Sequence, residues 1–174
     1  TLIQFQAEHI ELAWNWVHEF PKANIDDYGP RTIEDWTKAC CDRVRNEAEL
    51  FFTVTNDGEP VGIIGVTWPG GRLAVMHGIC FTRKVHRKGV AREAMQVLLS
   101  QLFAAGVERI EAYSFATNGR VHRFLGKLGF HQEGILRQRT VQDGRRIDVR
   151  LNAMLAPVGQ QGGGPVKQVN NSIA

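Results

Sequence analysis

The stretch Phe81-Thr82-Arg83-Lys84-Val85-His86-Arg87-Lys88-Gly89-Val90-Ala91-Arg92 decides how this chain is read. A β-rich run over residues 73–82 ends in it, a short basic loop follows, and a helix opens at a glycine. Apolar residues at 90, 94, 97, 98, 102 and 105, with Gly106 after the end, predict a helix over 89–105. The first turn of a helix leaves backbone N–H groups without intrahelical acceptors and carries the positive end of the helix dipole, which makes it an anion site. Gly89 lets a ligand come close to the backbone. Arg83, Lys84, Arg87, Lys88 and Arg92, with no acid among them, add long-range attraction for phosphate. On charge alone the same residues would also make an ordinary solvated loop.

Working outward, residues 2–5 read as a short strand and 9–20 as a helix with apolar positions at 10, 13, 14, 17 and 20. Residues 21–30 form a loop. Thr32 and Asp35 have capping-box spacing and open a helix to about residue 46. Strands are predicted over 51–55 and 60–68, joined by the turn signal Asn56-Asp57-Gly58. Gly70-Gly71 marks a second turn. After the central helix come a strand over 109–114 and a helix over 118–128, capped by Asn118 and stopped by Gly129. Two strands over 130–141 and 146–155 flank Gln142-Asp143-Gly144-Arg145, a second hairpin signal. The order β-α-α-β-β-β-α-β-α-β-β implies a mixed sheet covered by helices, an α/β (α+β) fold in one domain over 1–156. Residues 157–174, rich in Gly, Gln and Asn, are expected to be a flexible tail.

The chain has 174 residues, 43% hydrophobic and 22% charged, which suits one soluble domain and excludes collagen, coiled coil and disorder as the main description. The net charge of +3 hides a split. Residues 1–60 hold 12 acids and 5 bases, while residues 61–174 hold 6 acids and 16 bases. That asymmetry suggests one cationic and one anionic partner. No apolar run is long enough to span a membrane, and no signal-peptide pattern opens the chain. Cys40, Cys41 and Cys80 are odd in number and two are adjacent; this is no disulfide framework and points to a reducing cytoplasm. The six histidines show no metal-ligand spacing, so no metal is expected.

His86-Arg87-Lys88-Gly89-Val90-Ala91 resembles the acetyl-CoA loop of the GNAT N-acetyltransferases, Gln/Arg-x-x-Gly-x-Gly/Ala, with His86 in place of Gln/Arg and Arg87 where many relatives have Gly. Asn118-Gly119-Arg120 through Lys127-Leu128-Gly129-Phe130 is similar to the family's Asn-x-x-Ser/Ala…Lys-Leu-Gly-Phe segment. Gly134-x-Leu136-Arg137, Asp143-Gly144 and Asp148 follow in an order that resembles the RimJ/RimL-type branch, which acetylates protein N-termini and related amines. The resemblance spans about residues 60–155 and implies a mixed, mostly antiparallel central sheet flanked by helices.

It also implies direct attack of an amine on the thioester of acetyl-CoA in a ternary complex. The backbone of Ile79, Cys80 and Phe81 would pair with the pantetheine arm. The N–H groups of Arg87, Lys88, Gly89, Val90 and Ala91 would hold the pyrophosphate, next to His86. Arg83, Arg87, Lys88, Arg92 and Lys127 are candidates for the nucleotide phosphates, and Asn118 for the pantetheine or an ordered water. The strand over 73–82 lacks the Glu common in relatives. His77 is its nearest titratable group, with an ordinary pKa near ~6.5 that suits a general base; a packed histidine or a water relay are the alternatives. The position of the family's acidic Tyr falls on Leu125, leaving Tyr113 or Ser114 as substitutes. Cys80 as a nucleophile has no visible base beside it and reads as a small buried hydrophobe.

Asp26, Asp27, Tyr28, Glu34 and Asp35, with Trp14, Trp16 and Trp36, lie where the family borders its acceptor site. They would attract a cationic amine, or else be solvated carboxylates over core tryptophans. The expected partners are thus acetyl-CoA and an amine, a protein N-terminus or a small amine, with a homodimer left open and no membrane. A catalytically degenerate acetyl-CoA binder and a nucleic-acid module built on Arg137, Arg139, Arg145, Arg146 and Arg150 are the competing readings.

Overall fold

Asp57 (φ 51°) and Gly58 (φ 82°) both take the left-handed conformation, and so do Asp143 (φ 51°) and Gly144 (φ 71°). Two consecutive positive-φ residues make the tight turn that matches strand twist, and each pair joins a hairpin: β2 (Glu49–Asn56) with β3 (Glu59–Thr67), and β6 (His131–Gln142) with β7 (Arg145–Leu155). The other elements are β1 (Leu2–Gln4), a 3-10 turn (Ala7–His9), α1 (Ile10–His18), α2 (Ile33–Arg45), β4 (Leu73–Phe81), a second 3-10 turn (Arg83–Val85), α3 (Val90–Ala104), β5 (Arg109–Phe115) and α4 (Gly119–Leu128). The computed structural model describes residues 1–20, 26–68 and 71–157. The expected tail beyond 157, the start of the 21–30 loop and Gly70 lie outside these.

Seven strands form one sheet in the order β1-β2-β3-β4-β5-β7-β6. All neighbours are antiparallel except β4 and β5. One face carries Leu50, Phe52, Val54, Ile64, Val66, Met76 and Ile110 against Met95, Leu98 and Leu102 of α3 and Leu125 and Leu128 of α4. The other face carries Phe5, Phe51, Ile63 and Cys80 against Ala13, Trp16 and Val17 of α1 and Trp36 and Cys40 of α2. A fully buried Leu such as Leu98 contributes about 2 kcal/mol through the area removed from water. Trp16 and Trp36 are therefore core, and the Trp36 indole donates to the Ile10 carbonyl at 3.1 Å.

Two features position the site. In β4, Cys80 pairs with Ile63 but His77 pairs with Gly65, so two residues, Gly78 and Ile79, oppose the single Ile64. This is a β-bulge, and Gly78 takes φ 58° to form it. The bulge shifts the side-chain alternation by one, so Met76 and Phe81 share the α3/α4 face although they are five residues apart. By the same shift His77 and Cys80 share the α1/α2 face. Second, β4 and β5 run parallel only from Leu73 opposite Arg109 to Met76 opposite Ala112. Beyond that pair, β4 continues five residues along β3 and β5 continues three along β7. The two strands part and leave a cleft at their carboxyl ends.

Candidate active site

The β4–α3 loop closes the upper end of this cleft. Val85 is buried in the core and anchors the loop. Arg87 (φ 64°) and Gly89 (φ 87°) bend the chain into α3, whose N-cap, Gly89, has no side-chain partner. The N–H of Glu93 is the first to bond within the helix, to the Gly89 carbonyl at 3.0 Å. The preceding N–H groups of the turn have no intrahelical acceptor. Arg87, Lys88 and Arg92 are exposed beside them, and none makes an ion pair among the described residues. An anion fits this cradle: the donors are backbone, the flanking charge is positive, and a side chain at Gly89 would be strained.

Two cationic candidates are placed elsewhere. Arg83 is tied to the end of α1. Its backbone N–H donates to Glu19 Oε2 at 2.7 Å, its Nη2 donates to the Glu19 carbonyl at 2.7 Å, and its guanidinium lies 4.6 Å from the Phe20 ring centroid. Thr82 Oγ1 donates to Glu19 Oε1 at 2.9 Å, so this one carboxylate fastens the loop to α1. Lys127 lies in the last turn of α4, eight residues or roughly 12 Å of helix beyond Gly119.

His86 does not point outward as a phosphate ligand. Its ring stacks on Phe20 at 4.9 Å, Nε2 lies 3.1 Å from the Phe81 carbonyl, and Nδ1 lies 3.4 Å from Arg120 Nη1. Arg120 follows β5 and His86 follows β4, so this contact spans the mouth of the cleft. That Phe20 and Arg120 meet His86 carried no sequence signal, because the cluster joins three separate segments.

On the β4 wall, Ile79 packs into the α3/α4 core, as Phe81 does. Cys80 is 5% exposed, and burial with the nearby Glu19 charge pushes its thiol up to about 12. Burial and the raised pKa disfavour a thiolate and fit a small buried side chain. His77 is half-buried against Gly65, whose Cα leaves only 2.4 Å between an added Cβ and the ring's Cε1. Its Nε2 meets Glu49 Oε2 at 2.7 Å, and the other Glu49 oxygen accepts from Thr67 Oγ1 at 2.7 Å. Its Nδ1 is buried with no hydrogen-bond partner. Burial and the Arg43 charge hold the imidazole below its ordinary pKa, outweighing the upward pull of Glu49. The carboxylate that the sequence of β4 lacks is thus supplied from β2.

On the β5 wall, Tyr113 and Ser114 face opposite sides, as alternation demands. Tyr113 is 44% exposed and donates to Glu111 Oε2 at 2.8 Å, a bond that raises its pKa. Glu111 also accepts from Arg109 Nε at 2.8 Å, and Arg109 further pairs with Glu133. Ser114 is buried on the α3/α4 side with its Oγ unbonded. Asn118 caps α4, its Oδ1 accepting from the Val121 N–H at 3.1 Å. Leu125 is 1% exposed in the core and offers no acid.

The acceptor-side acids are placed differently from the reading above. Asp26 Oδ2 accepts from Thr140 Oγ1 at 2.7 Å. Asp27 Oδ1 and Oδ2 accept from the N–H groups of Asp143 and Gly144 at 3.1 and 2.9 Å, and its own N–H donates to the Val141 carbonyl at 2.7 Å. Both carboxylates clasp the α1–α2 loop onto the β6–β7 hairpin.

The segment that holds the parted strand pair, the basic loop and the uncapped helix start falls within a family match. Residues 10–130 match the acetyltransferase (GNAT) family. The chain belongs to that family. Among relatives, a match of 38% identity over 72 residues, 41% of each chain, is to the uncharacterized N-acetyltransferase YoaA of Bacillus subtilis, so the chain spans under half of that GNAT relative. The probable N-acetyltransferase YjcK of the same organism is 28% identical over 84% of each chain. Among solved structures, a mutant of spermidine N-acetyltransferase SpeG from Vibrio cholerae superposes with TM-score 0.76 at 20% identity, covering 90% of this chain and 95% of that one. The ribosomal-protein-S18-alanine N-acetyltransferase of Escherichia coli superposes with TM-score 0.72 at 18% identity, covering 94% and 96%. These similarities show the GNAT fold. Among the described residues, no helix is long and apolar enough to cross a membrane.

Proposed function

We propose that this GNAT protein transfers an acetyl group from acetyl-CoA to a primary amine, on a protein N-terminus or a small molecule. The observation that carries the reading is the parting of β4 and β5 after Met76 and Ala112, directly below the uncapped start of α3. Bound acetyl-CoA supplies an activated acyl group and a thiolate leaving group. Backbone N–H groups of Gly89, Val90 and Ala91, with Arg87, Lys88 and Arg92 around them, would hold its phosphates. The edge of β4 that faces β5 would receive its extended arm.

His77 takes the amine's proton through a water. Its Nε2 is hydrogen-bonded to Glu49 Oε2 at 2.7 Å, and this pair receives the proton, since Nδ1 is shut in against Gly65; burial and the Arg43 charge hold the imidazole below its ordinary pKa. Tyr113, across the cleft, is the hydroxyl on the same face. An α-amine, with pKa near ~8 against ~10.4 for lysine, demands less of such a base. The ordered run Gly134, Leu136, Arg137, Asp143-Gly144, Asp148 supports the RimJ/RimL-type branch. Two named neighbours, one acting on spermidine and one on a ribosomal-protein alanine, bracket the acceptor choices. Three free cysteines support a cytoplasmic setting.

The test is acetyl-CoA titration by calorimetry, followed by thiol release with a panel of amines. Tight binding and turnover are expected. Binding without turnover on any amine would favour the degenerate reading.

A further inference from the structure

Resting on that reading, we infer that the acceptor carries its reactive amine on an acidic segment, an N-terminal peptide with carboxylates following the amine. The rim of the acceptor side is taken to be the β6–β7 hairpin, which carries four exposed arginines. Arg137, Arg139, Arg145 and Arg146 are exposed, and none has an ion-pair or hydrogen-bond partner among the described residues. The hairpin's acids are Glu133, Asp143 and Asp148. Glu133 pairs with Arg109, and Asp148 Oδ1 accepts the Gln138 N–H at 2.8 Å.

That last bond gives the rim its shape. On β6, Arg137, Gln138 and Arg139 oppose the single residue Asp148, since Leu136 pairs with Val149 and Thr140 with Ile147. Gln138 takes φ 50° and is pinned by Asp148. The bulge lifts Arg137 and Arg139 out of the strand ladder. Arg139 lies close enough to Tyr113 for its charge to lower that hydroxyl's pKa, against the raising effect of Glu111. A cation therefore borders the β5 wall of the cleft.

The opposing charges are accounted for. Asp26 and Asp27 keep their charge, but their carboxylates are turned toward Thr140 and the turn N–H groups of Asp143 and Gly144, at the hairpin's tip side and not toward Arg137 and Arg139 on the bulge. Glu111 remains near Tyr113, shared with Arg109. Glu111 is thus already matched by a cation, and the arginines at the rim are left to meet an anionic tail. The hairpin carries no Phe, Tyr or Trp over residues 131–155. Single-stranded nucleic acid is usually held by base stacking on such rings, so a peptide is favoured over RNA.

The experiment uses the full chain with three short peptides that share one N-terminal Ser and continue with Asp/Glu, with uncharged or with Lys residues, and with spermidine beside them. Thiol release gives kcat and KM, and anisotropy of a C-terminally labelled acidic peptide gives binding independent of turnover. The acidic peptide should exceed the uncharged one by about tenfold in kcat/KM, mostly through KM, and lose that margin at high salt. Arg139→Gln and the double variant Arg145→Gln/Arg146→Gln should each remove most of it, and Arg139→Lys should restore part.

Equal or better use of the Lys peptide or spermidine overturns the inference while leaving acetyl transfer standing. Unchanged acidic preference in the arginine variants, or displacement of the peptide by a single-stranded RNA at lower concentration, overturns it too. If acetyl-CoA fails to bind but the acidic peptide binds in an Arg139-dependent way, the inference stands and the acetyltransferase reading falls.

Discussion

His77 and Tyr113 stand at the same level of the sheet, each one residue beyond Met76 and Ala112, the last pair that β4 and β5 share. Both face the α1/α2 side. The only titratable imidazole on β4 and the only phenol on β5 therefore flank the point where the strands separate.

His77→Gln keeps a donor for Glu49 but removes the base. It should lower kcat by about 10²-fold, the usual contribution of general base catalysis. The acid limb of the pH–rate profile, which should fall below ~6.5 because the imidazole is held down by burial and Arg43, should vanish in the variant. Stability gives an independent check. Between the depressed folded pKa and ~6.5 the unfolded chain binds more protons, so wild-type stability falls as pH drops through that window. The variant should lack this loss in thermal melts taken from pH 7 to 5.

Gly89→Glu places a carboxylate among the N–H groups of α3 and a side chain at φ 87°. Acetyl-CoA affinity should drop by more than about 100-fold, read by calorimetry, with stability down about 1–2 kcal/mol from the left-handed strain. Gly89→Ala should show the stability loss with much less effect on affinity. Undiminished binding in the Glu variant would exclude this loop as the anion cradle.

Asp27→Ala removes the acceptor of two backbone N–H groups in the hairpin turn. The expected loss is about 1 kcal/mol in urea unfolding. The amine's KM should rise several-fold and that of acetyl-CoA by less, because the clasp joins acceptor-side segments directly and reaches the β4–α3 loop only through the chain to Glu19. Equal rises in both would show that the clasp supports the whole fold.

Thiol labelling separates the cysteines. Cys40 and Cys80 are buried, with pKa values pushed up to about 11 and 12, while Cys41 is partly exposed. One thiol should react in the native protein and three in denaturant. Fast labelling of Cys80 that acetyl-CoA suppresses would instead place it in the reaction path.

The order of elements was legible because turn and cap signals are local. Asp57-Gly58, Asp143-Gly144, Thr32 and Asn118 act where they stand in sequence. The turn through Gly89 into α3 was legible for the same reason. The groups that complete the site were not, because each comes from a distant segment. Glu49 reaches His77 across 28 residues, and Asp27 reaches Gly144 across 117. Asp26 and Asp27 were readable as charge, but a carboxylate that accepts backbone N–H groups looks the same in sequence as one facing water. The bulge at Gly78 was hidden as well, so simple alternation along β4 would have put His77 and Cys80 on opposite faces.

One stretch of chain grips both sides of the cleft. Glu19 holds the loop expected to bind acetyl-CoA, and Asp27, eight residues later, holds the hairpin expected to bind the amine. Glu19 and Asp27 are eight residues apart in the chain, so the two substrates are expected not to bind independently. The same factor must then appear twice, as acetyl-CoA changes affinity for the amine and as the amine changes affinity for acetyl-CoA.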